Sequence, residues 1–253
     1  MRKLAMLVLF LAAVPCFGDD CGSGWGYTGT TGPAFWGGLR PEWLICSTGA
    51  AQSPINVTWN LPATNTLPLL TVSHALESTF KVENTGHDLK VKEFSAPWTL
   101  EWYGRHATLE QFHFHVKAEH SDNGTQHLGE IHFLFKDNRN GSNIVLVVWI
   151  KSIAGENPGL KKILPSKPAS CLTSARSTTT VKLDDFLINV NRNRYATYEG
   201  SLTTPPCSED VSFIILRDGI TVTQSQLNAL TIVPLAVGGN VRPRQTQGVR
   251  WRQ

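Results

Sequence analysis

The segment Gln111-Phe112-His113-Phe114-His115 has the residue types and spacing for metal chemistry. Residues two apart on an extended strand point to the same side. On such a strand Gln111, His113 and His115 share one face, while Phe112 and Phe114 share the other. The aromatic face suits a core. The polar face must then look into a cavity or solvent. Two protonated imidazoles side by side repel, so a shared metal is a physical reason to place them together. A second segment, Glu130-Ile131-His132, repeats the pattern, with Glu130 and His132 on one face and Ile131 on the other. If the two strands are neighbours, three neutral imidazoles meet around one point. Three such ligands with an open fourth position form a catalytic zinc arrangement. Neutral ligands leave the ion's charge uncompensated, which acidifies a bound water more than anionic ligands would. Gln111 and Glu130 are suited to orient the ligating rings. A His-x-His pair alone is more often incidental. His74, His106, His120 and His127 show that histidines occur here without that spacing.

The elements that must position these residues are mainly strands. Short β-prone runs occupy residues 79–83, 89–91 and 98–102, and alternating runs occupy 107–115 and 130–135. Residues 144–150 are continuously apolar and β-branched, which predicts a strand buried on both faces, and 211–216 form another. Helical candidates are short: 160–164, 184–189 and 225–230, the last with Thr223 or Ser225 as its cap. Residues 22–38, rich in Gly and Trp, have no periodicity and predict an ordered, irregular arm. The expected fold class is α+β, mainly β: a large, twisted, mostly antiparallel central sheet with few short peripheral helices.

At 253 residues and 41% hydrophobic content, the chain can bury a substantial core. Arg2 and Lys3 precede an apolar run over residues 4–14, followed by Pro15, Cys16 and Gly18, the pattern of a signal peptide over residues 1–18. Residues 19–253 then form one domain. No segment is long enough for an ordinary membrane span. Loss of the signal takes the formal charge from +3 to +1, which gives no polyanion partner, so nucleic acid is not expected. Four cysteines remain after the signal: Cys21, Cys46, Cys171 and Cys207. An even number in an exported chain suggests two disulfides, and four cysteines allow three pairings. Sequons at Asn56, Asn123 and Asn140 fit a secreted, extracellular glycoprotein.

Taken in order along the chain, the motifs resemble the α-class carbonic anhydrase family. They are Trp25-Gly26-Tyr27, Gln52-Ser53-Pro54-Ile55-Asn56, Asn84-Thr85-Gly86-His87, the Gln-Phe-His-Phe-His run, Glu119-His120, Glu130-Ile131-His132, the stretch from Tyr198 to Pro206, and Asn240-Val241-Arg242-Pro243. The resemblance implies a secreted zinc enzyme that hydrates carbon dioxide reversibly to bicarbonate and a proton. It implies zinc on His113, His115 and His132, with Gln111 and Glu130 holding the ligands. A zinc-bound hydroxide would attack carbon dioxide, oriented by Thr203, which passes its own proton toward Glu119. Thr203 and Thr204 would line the bicarbonate position, and His87 would shuttle protons. Leu134, Val145, Leu202 and Phe213 would form an apolar wall for the gas. It also implies a Cys46–Cys207 bridge that braces the threonine loop, leaving Cys21 with Cys171.

The sequence departs from the family pattern in places. Val116-Lys117 stands where many members have Trp-Gly, and the interval from His115 to Glu119 is short. Phe213 replaces a common tryptophan, and Lys90 stands where asparagine is frequent. Two other readings fit the same residues: a non-catalytic binding, matrix or storage member of the family, and a zinc hydrolase acting on esters. Intact ligands, Glu119 and Thr203 argue against the first, which needs none of them.

Overall fold

The computed structural model describes residues 22–59, 68–72, 77–233, 238–246 and 250–251. The expected signal peptide, Cys21 and His74 lie outside these residues. The strands are β1 (Asn56–Val57), β2 (Thr71–Val72), β3 (Lys81–Asn84), β4 (Leu89–Lys92), β5 (Thr99–Trp102), β6 (Arg105–Val116), β7 (Ser121–Asp122), β8 (Gly129–Asp137), β9 (Asn143–Ile153), β10 (Thr173–Arg176), β11 (Tyr195–Gly200), β12 (Val211–Val222) and β13 (Arg250–Trp251). Eleven of them build one sheet, in the order β10-β3-β4-β6-β8-β9-β12-β11-β13, with β5 and β2 branching from β6. All its pairings are antiparallel except β9 with β12. β1 and β7 form a separate parallel pair. The expected mostly antiparallel sheet is therefore present.

The alternation in β9 divides the interior in two. Ile144, Leu146, Val148 and Ile150 enter one core cluster, with Phe112, Phe114, Ile131, Phe133 and Phe135. Val145, Val147 and Trp149 enter a second cluster on the other face, with Tyr198, Phe213 and Ile215. A strand clad on both faces needs no polar residue, which is why this run reads as continuously apolar. β10 and β11 were not among the expected strands. β10 is a short exposed edge with no apolar alternation, and β11 is buried on both faces with small and aromatic residues intermixed.

The helices are short, as expected: α1 (Trp36–Leu39), α2 (Ile45–Thr48), α3 (Pro158–Ile163) and α4 (Gln224–Leu230). Asn157 caps α3 by accepting the Leu160 N–H at 3.1 Å. At α4, Thr223 accepts the Gln226 N–H while the Gln226 side chain accepts the Thr223 N–H, both at 3.1 Å. The helix expected over 184–189 is corrected to a single 3-10 turn, Leu183–Asp185. The Asp185 carboxylate accepts the Lys182 N–H, and Asn189 adopts φ 61°, a left-handed conformation that cannot continue a right-handed helix. The N-terminal arm is ordered around Trp36, buried, whose indole N–H is shared by the Gly26 and Thr31 carbonyls at 3.0 Å each. Trp25 and Tyr27 pack edge-on against it.

Candidate active site

β6 and β8 are adjacent and antiparallel, and His113 lies directly opposite His132. The expected neighbour relation thus brings His113, His115 and His132 together on the face away from the phenylalanines. Their ring centroids are 4.6 to 5.2 Å apart, and one nitrogen from each lies within 4.8 Å of the others.

Each ring's second nitrogen is tied down. His113 Nδ1 donates to the Gln111 side-chain carbonyl at 2.9 Å, His115 Nδ1 to the Asn240 backbone carbonyl at 2.6 Å, and His132 Nε2 to Glu130 at 2.6 Å. All three partners accept only, so each fixes its ring's tautomer. The nitrogens left with free lone pairs are His113 Nε2, His115 Nε2 and His132 Nδ1. Gln111 and Glu130 sit where the alternation places them. Asn240 is the partner that sequence reasoning missed. Its side chain also bridges strand β6, accepting the Val116 N–H at 2.9 Å and donating to the Phe114 carbonyl at 2.8 Å. The Asn-Val-Arg-Pro motif was the available signal, though a backbone carbonyl acceptor leaves no residue-type trace.

Behind His132 runs a directed chain of hydrogen bonds. Glu130 accepts from His120 Nδ1 at 3.1 Å, so His120 Nε2 accepts from the Tyr198 hydroxyl at 2.7 Å. Tyr198 in turn accepts from Ser53 at 2.8 Å, and the Ser53 oxygen accepts the Ser201 N–H at 3.0 Å. Burial would raise the Glu130 pKa, but the His120 and His132 imidazoles outweigh it and hold this carboxyl well below its usual range. Burial, reinforced by His115 and His132, pushes His113 well below the ordinary histidine value. Burial also lowers His132, against the opposing pull of Glu130. Both rings are therefore neutral and able to donate a lone pair at neutral pH.

The donor set fits a zinc ion. His115 is 1% exposed, and its Nε2 has no hydrogen-bond partner. Nor has Glu119 Oε2, which is 3.4 Å from it. Leaving a buried polar atom unsatisfied costs about 1–3 kcal/mol, so these two atoms fit a site built around a cation and its ligands. Two imidazole nitrogens and a third beside them match the ligand type and number of a catalytic zinc site.

Glu119 Oε1 accepts the Arg242 backbone N–H at 2.9 Å. Thr203 is buried on the loop after β11, but no hydrogen bond joins it to Glu119. Thr204 accepts the Cys207 N–H at 2.8 Å within a turn, and a Cys46–Cys207 disulfide, with Cα atoms 5.1 Å apart, ties that turn to α2. Cys171 is also disulfide-bonded, while Cys21 lies outside the described residues. Val145 and Phe213 belong to the second core cluster, and Leu134 and Leu202 pack against it. His87 lies against the N-terminal arm. It is buried and stacked on Trp25 at 3.8 Å, and its Nε2 donates to the Trp25 carbonyl at 2.8 Å. Asn56, Asn123 and Asn140 are all exposed.

The sheet and its convergent histidines are those of the carbonic anhydrases. A family model described as eukaryotic-type carbonic anhydrase matches residues 31–251, and the chain belongs to that family, enzymes that interconvert carbon dioxide and bicarbonate. It is 36% identical to a carbonic anhydrase of Neisseria gonorrhoeae over 98% of this chain and 95% of that one. An α-carbonic anhydrase from Thermovibrio ammonificans, solved with the inhibitor sulfanilamide, is 35% identical with a TM-score of 0.80, covering 89% of this chain and 97% of the other. Dioscorin, solved in complex with ascorbate, shares the fold at 26% identity and a TM-score of 0.78, covering 89% and 96%.

Proposed function

We propose that this enzyme hydrates carbon dioxide at a zinc ion held by His113 Nε2, His115 Nε2 and His132 Nδ1. The observation that carries the reading is the tautomer set: three acceptors hold three rings so that their free lone pairs converge. A bound zinc supplies an acidified water, with a pKa of about 7, the value established for carbonic anhydrase itself. Gln111, the Asn240 carbonyl and Glu130 keep the rings neutral and aimed. Glu119 is anchored through Oε1, and its unpartnered Oε2 is the acceptor for the Thr203 hydroxyl proton. Thr203 would then accept a hydrogen bond from the nucleophile that a bound zinc supplies, and so aim it at the substrate carbon. Leu134, Val145, Leu202 and Phe213 hold the nonpolar gas and exclude competing water. Thr203 and Thr204 receive the bicarbonate oxygens.

A proton must leave in each turnover. His87 carries it, breaking the bond from its Nε2 to the Trp25 carbonyl to reach the water beside the site. An imidazole has one ring nitrogen to accept a proton and another to give one up, which suits a relay.

The run over residues 1–18 directs secretion, and residues 19–253 form the one domain. The Cys46–Cys207 bridge and the disulfide-bonded Cys171 support an oxidising compartment, and Cys21 is the partner of Cys171. Exposure of Asn56, Asn123 and Asn140 supports glycosylation there. No helix among the described residues is long and apolar enough to cross a membrane.

The test is metal analysis with stopped-flow hydration on the same sample. One zinc per chain with hydration blocked by a sulfonamide is the expected result. Stoichiometric zinc without hydration would leave a metal-binding protein and overturn the proposal.

A further inference from the structure

The polar face of the sheet does not end at the histidines. β4 lies beside β6, and Lys90 is directly opposite His113, with Lys92 opposite Gln111. Directly opposite residues of an antiparallel pair project to the same face, with Cβ atoms about 4.5–5.5 Å apart. One strand further out, Glu83 faces Lys90 and Lys81 faces Lys92. Beyond them, on β10, Arg176 faces Lys81. Arg176, Lys81 and Lys92 therefore form a row of cations that ends at Gln111, and Lys90 lies on the adjacent row that ends at His113.

The acids on these rows are already committed. Glu83 pairs with Lys92 at 2.5 Å, although it sits opposite Lys90. Glu93 pairs with Lys81 at 3.0 Å and with Arg176 at 2.7 Å. Lys90 forms no ion pair or hydrogen bond among the described residues, and it is half-buried. Its neighbours along β4, Leu89 and Val91, point to the opposite face and are fully buried in the core, which fixes the strand's register.

A half-buried cation without a counter-ion, beside a site that handles a small anion, needs an anion. We propose that Lys90 is an anion-binding residue of this site, holding bicarbonate and competing small monovalent anions beside the His113 edge of the metal position. The paired cations on the adjacent row, Lys92, Lys81 and Arg176, give the approach a positive field that concentrates anions from solution. Carbon dioxide, being uncharged, gains nothing from this row. The assignment rests on the carbonic anhydrase reading of the site.

The test uses the full chain with cobalt in place of zinc, so that anion binding is read from the visible spectrum rather than from turnover. Thiocyanate is the probe, and bicarbonate is titrated in parallel. In Lys90→Gln the dissociation constants of both are expected to rise about three- to tenfold, while Lys90→Arg keeps them near the parent values. Lys161→Gln, an exposed lysine on α3, controls for net charge and should leave both unchanged. Unchanged constants in Lys90→Gln, or an equal rise in Lys161→Gln, would overturn the proposal. Lys90-dependent anion binding in a protein that hydrates no carbon dioxide would keep the anion site and discard the enzymatic reading.

Discussion

The two faces of β6 and β8 come from one alternation but are held in different ways. On one face Phe112, Phe114, Ile131, Phe133 and Phe135 join a large buried hydrophobic cluster. Phe112 alone meets Phe94, Trp98, Phe114, Phe133 and Phe186 at ring-centroid distances of 5.0 to 6.3 Å. On the other face each imidazole has one orienting partner and nothing to replace it. Dispersion contacts are many and weak, so the apolar face shares its energy out. Directional hydrogen bonds are few, so the histidine face concentrates its function in single atoms. Damage to the first face should appear as lost stability, and damage to the second as lost metal and rate.

The sharpest separation is expected from His115→Ala. Zinc should fall from one per chain to near none, and hydration by about a thousandfold or more, with far-UV circular dichroism unchanged. Collapse of the spectrum would show that the two faces are not separable. The converse is Phe112→Ala, which should cost about 3–5 kcal/mol in denaturant unfolding while the folded protein keeps its zinc. Zinc loss from the folded Phe112→Ala protein would break the comparison from the other side.

Glu130→Gln probes the one acid that serves two rings. A neutral amide leaves one of His120 and His132 without its acceptor, so zinc affinity should weaken about 10- to 100-fold in a chelator competition. Unchanged affinity would mean that His132 holds its orientation without Glu130. His87→Ala should lower turnover about tenfold in weak buffer, with metal content intact and the deficit repaired by a small buffer base. Equal turnover in weak and strong buffer would remove His87 from the proton path.

The smallest effect concerns the metal-free protein. His113 and His132 have depressed pKa values, so their rings stay neutral as pH falls through the ordinary histidine range and protonate only below it. Folded stability linked to them runs accordingly. A buried neutral imidazole costs stability progressively as pH drops below its unfolded-state pKa, because the unfolded chain takes up the proton first. Imidazole resonances followed by NMR should show this order, and normal titration of either ring would show that burial does not govern it.

Much of the ligand cluster was legible because it depends on a period of two. Alternation alone puts His113 and His115 on one face of their strand and His132 with Glu130 on one face of another, while the continuously apolar run of β9 marks it as clad on both faces. Pairing was less legible. Periodicity says that a strand has two faces but not which strand lies beside it, so the parallel contact of β9 with β12 carried no local mark. The helix expected over 184–189 failed for a related reason. Its composition tolerated a helix, but the Asp185 carboxylate found a nearer backbone N–H and Asn189 turned left-handed. The His115 partner was invisible because a main-chain carbonyl, 125 residues away, has no sequence signature. His87 was legible as a motif but not in its posture against Trp25, which depends on how the arm folds back.

The Cys46–Cys207 bridge closes a covalent ring of chain that includes His87, the three clustered histidines, Glu119 and Thr203. A protease cut within that ring leaves both flanks in one covalent piece. The stretch after Cys207 contains no further cysteine, yet it supplies Phe213 to the second core cluster, the Asn240 carbonyl to His115 and the Arg242 amide to Glu119. One nick between Cys207 and Phe213 would therefore leave those three contributors attached by packing and hydrogen bonds alone. Limited proteolysis there would turn the site into a two-fragment assembly that comes apart on dilution.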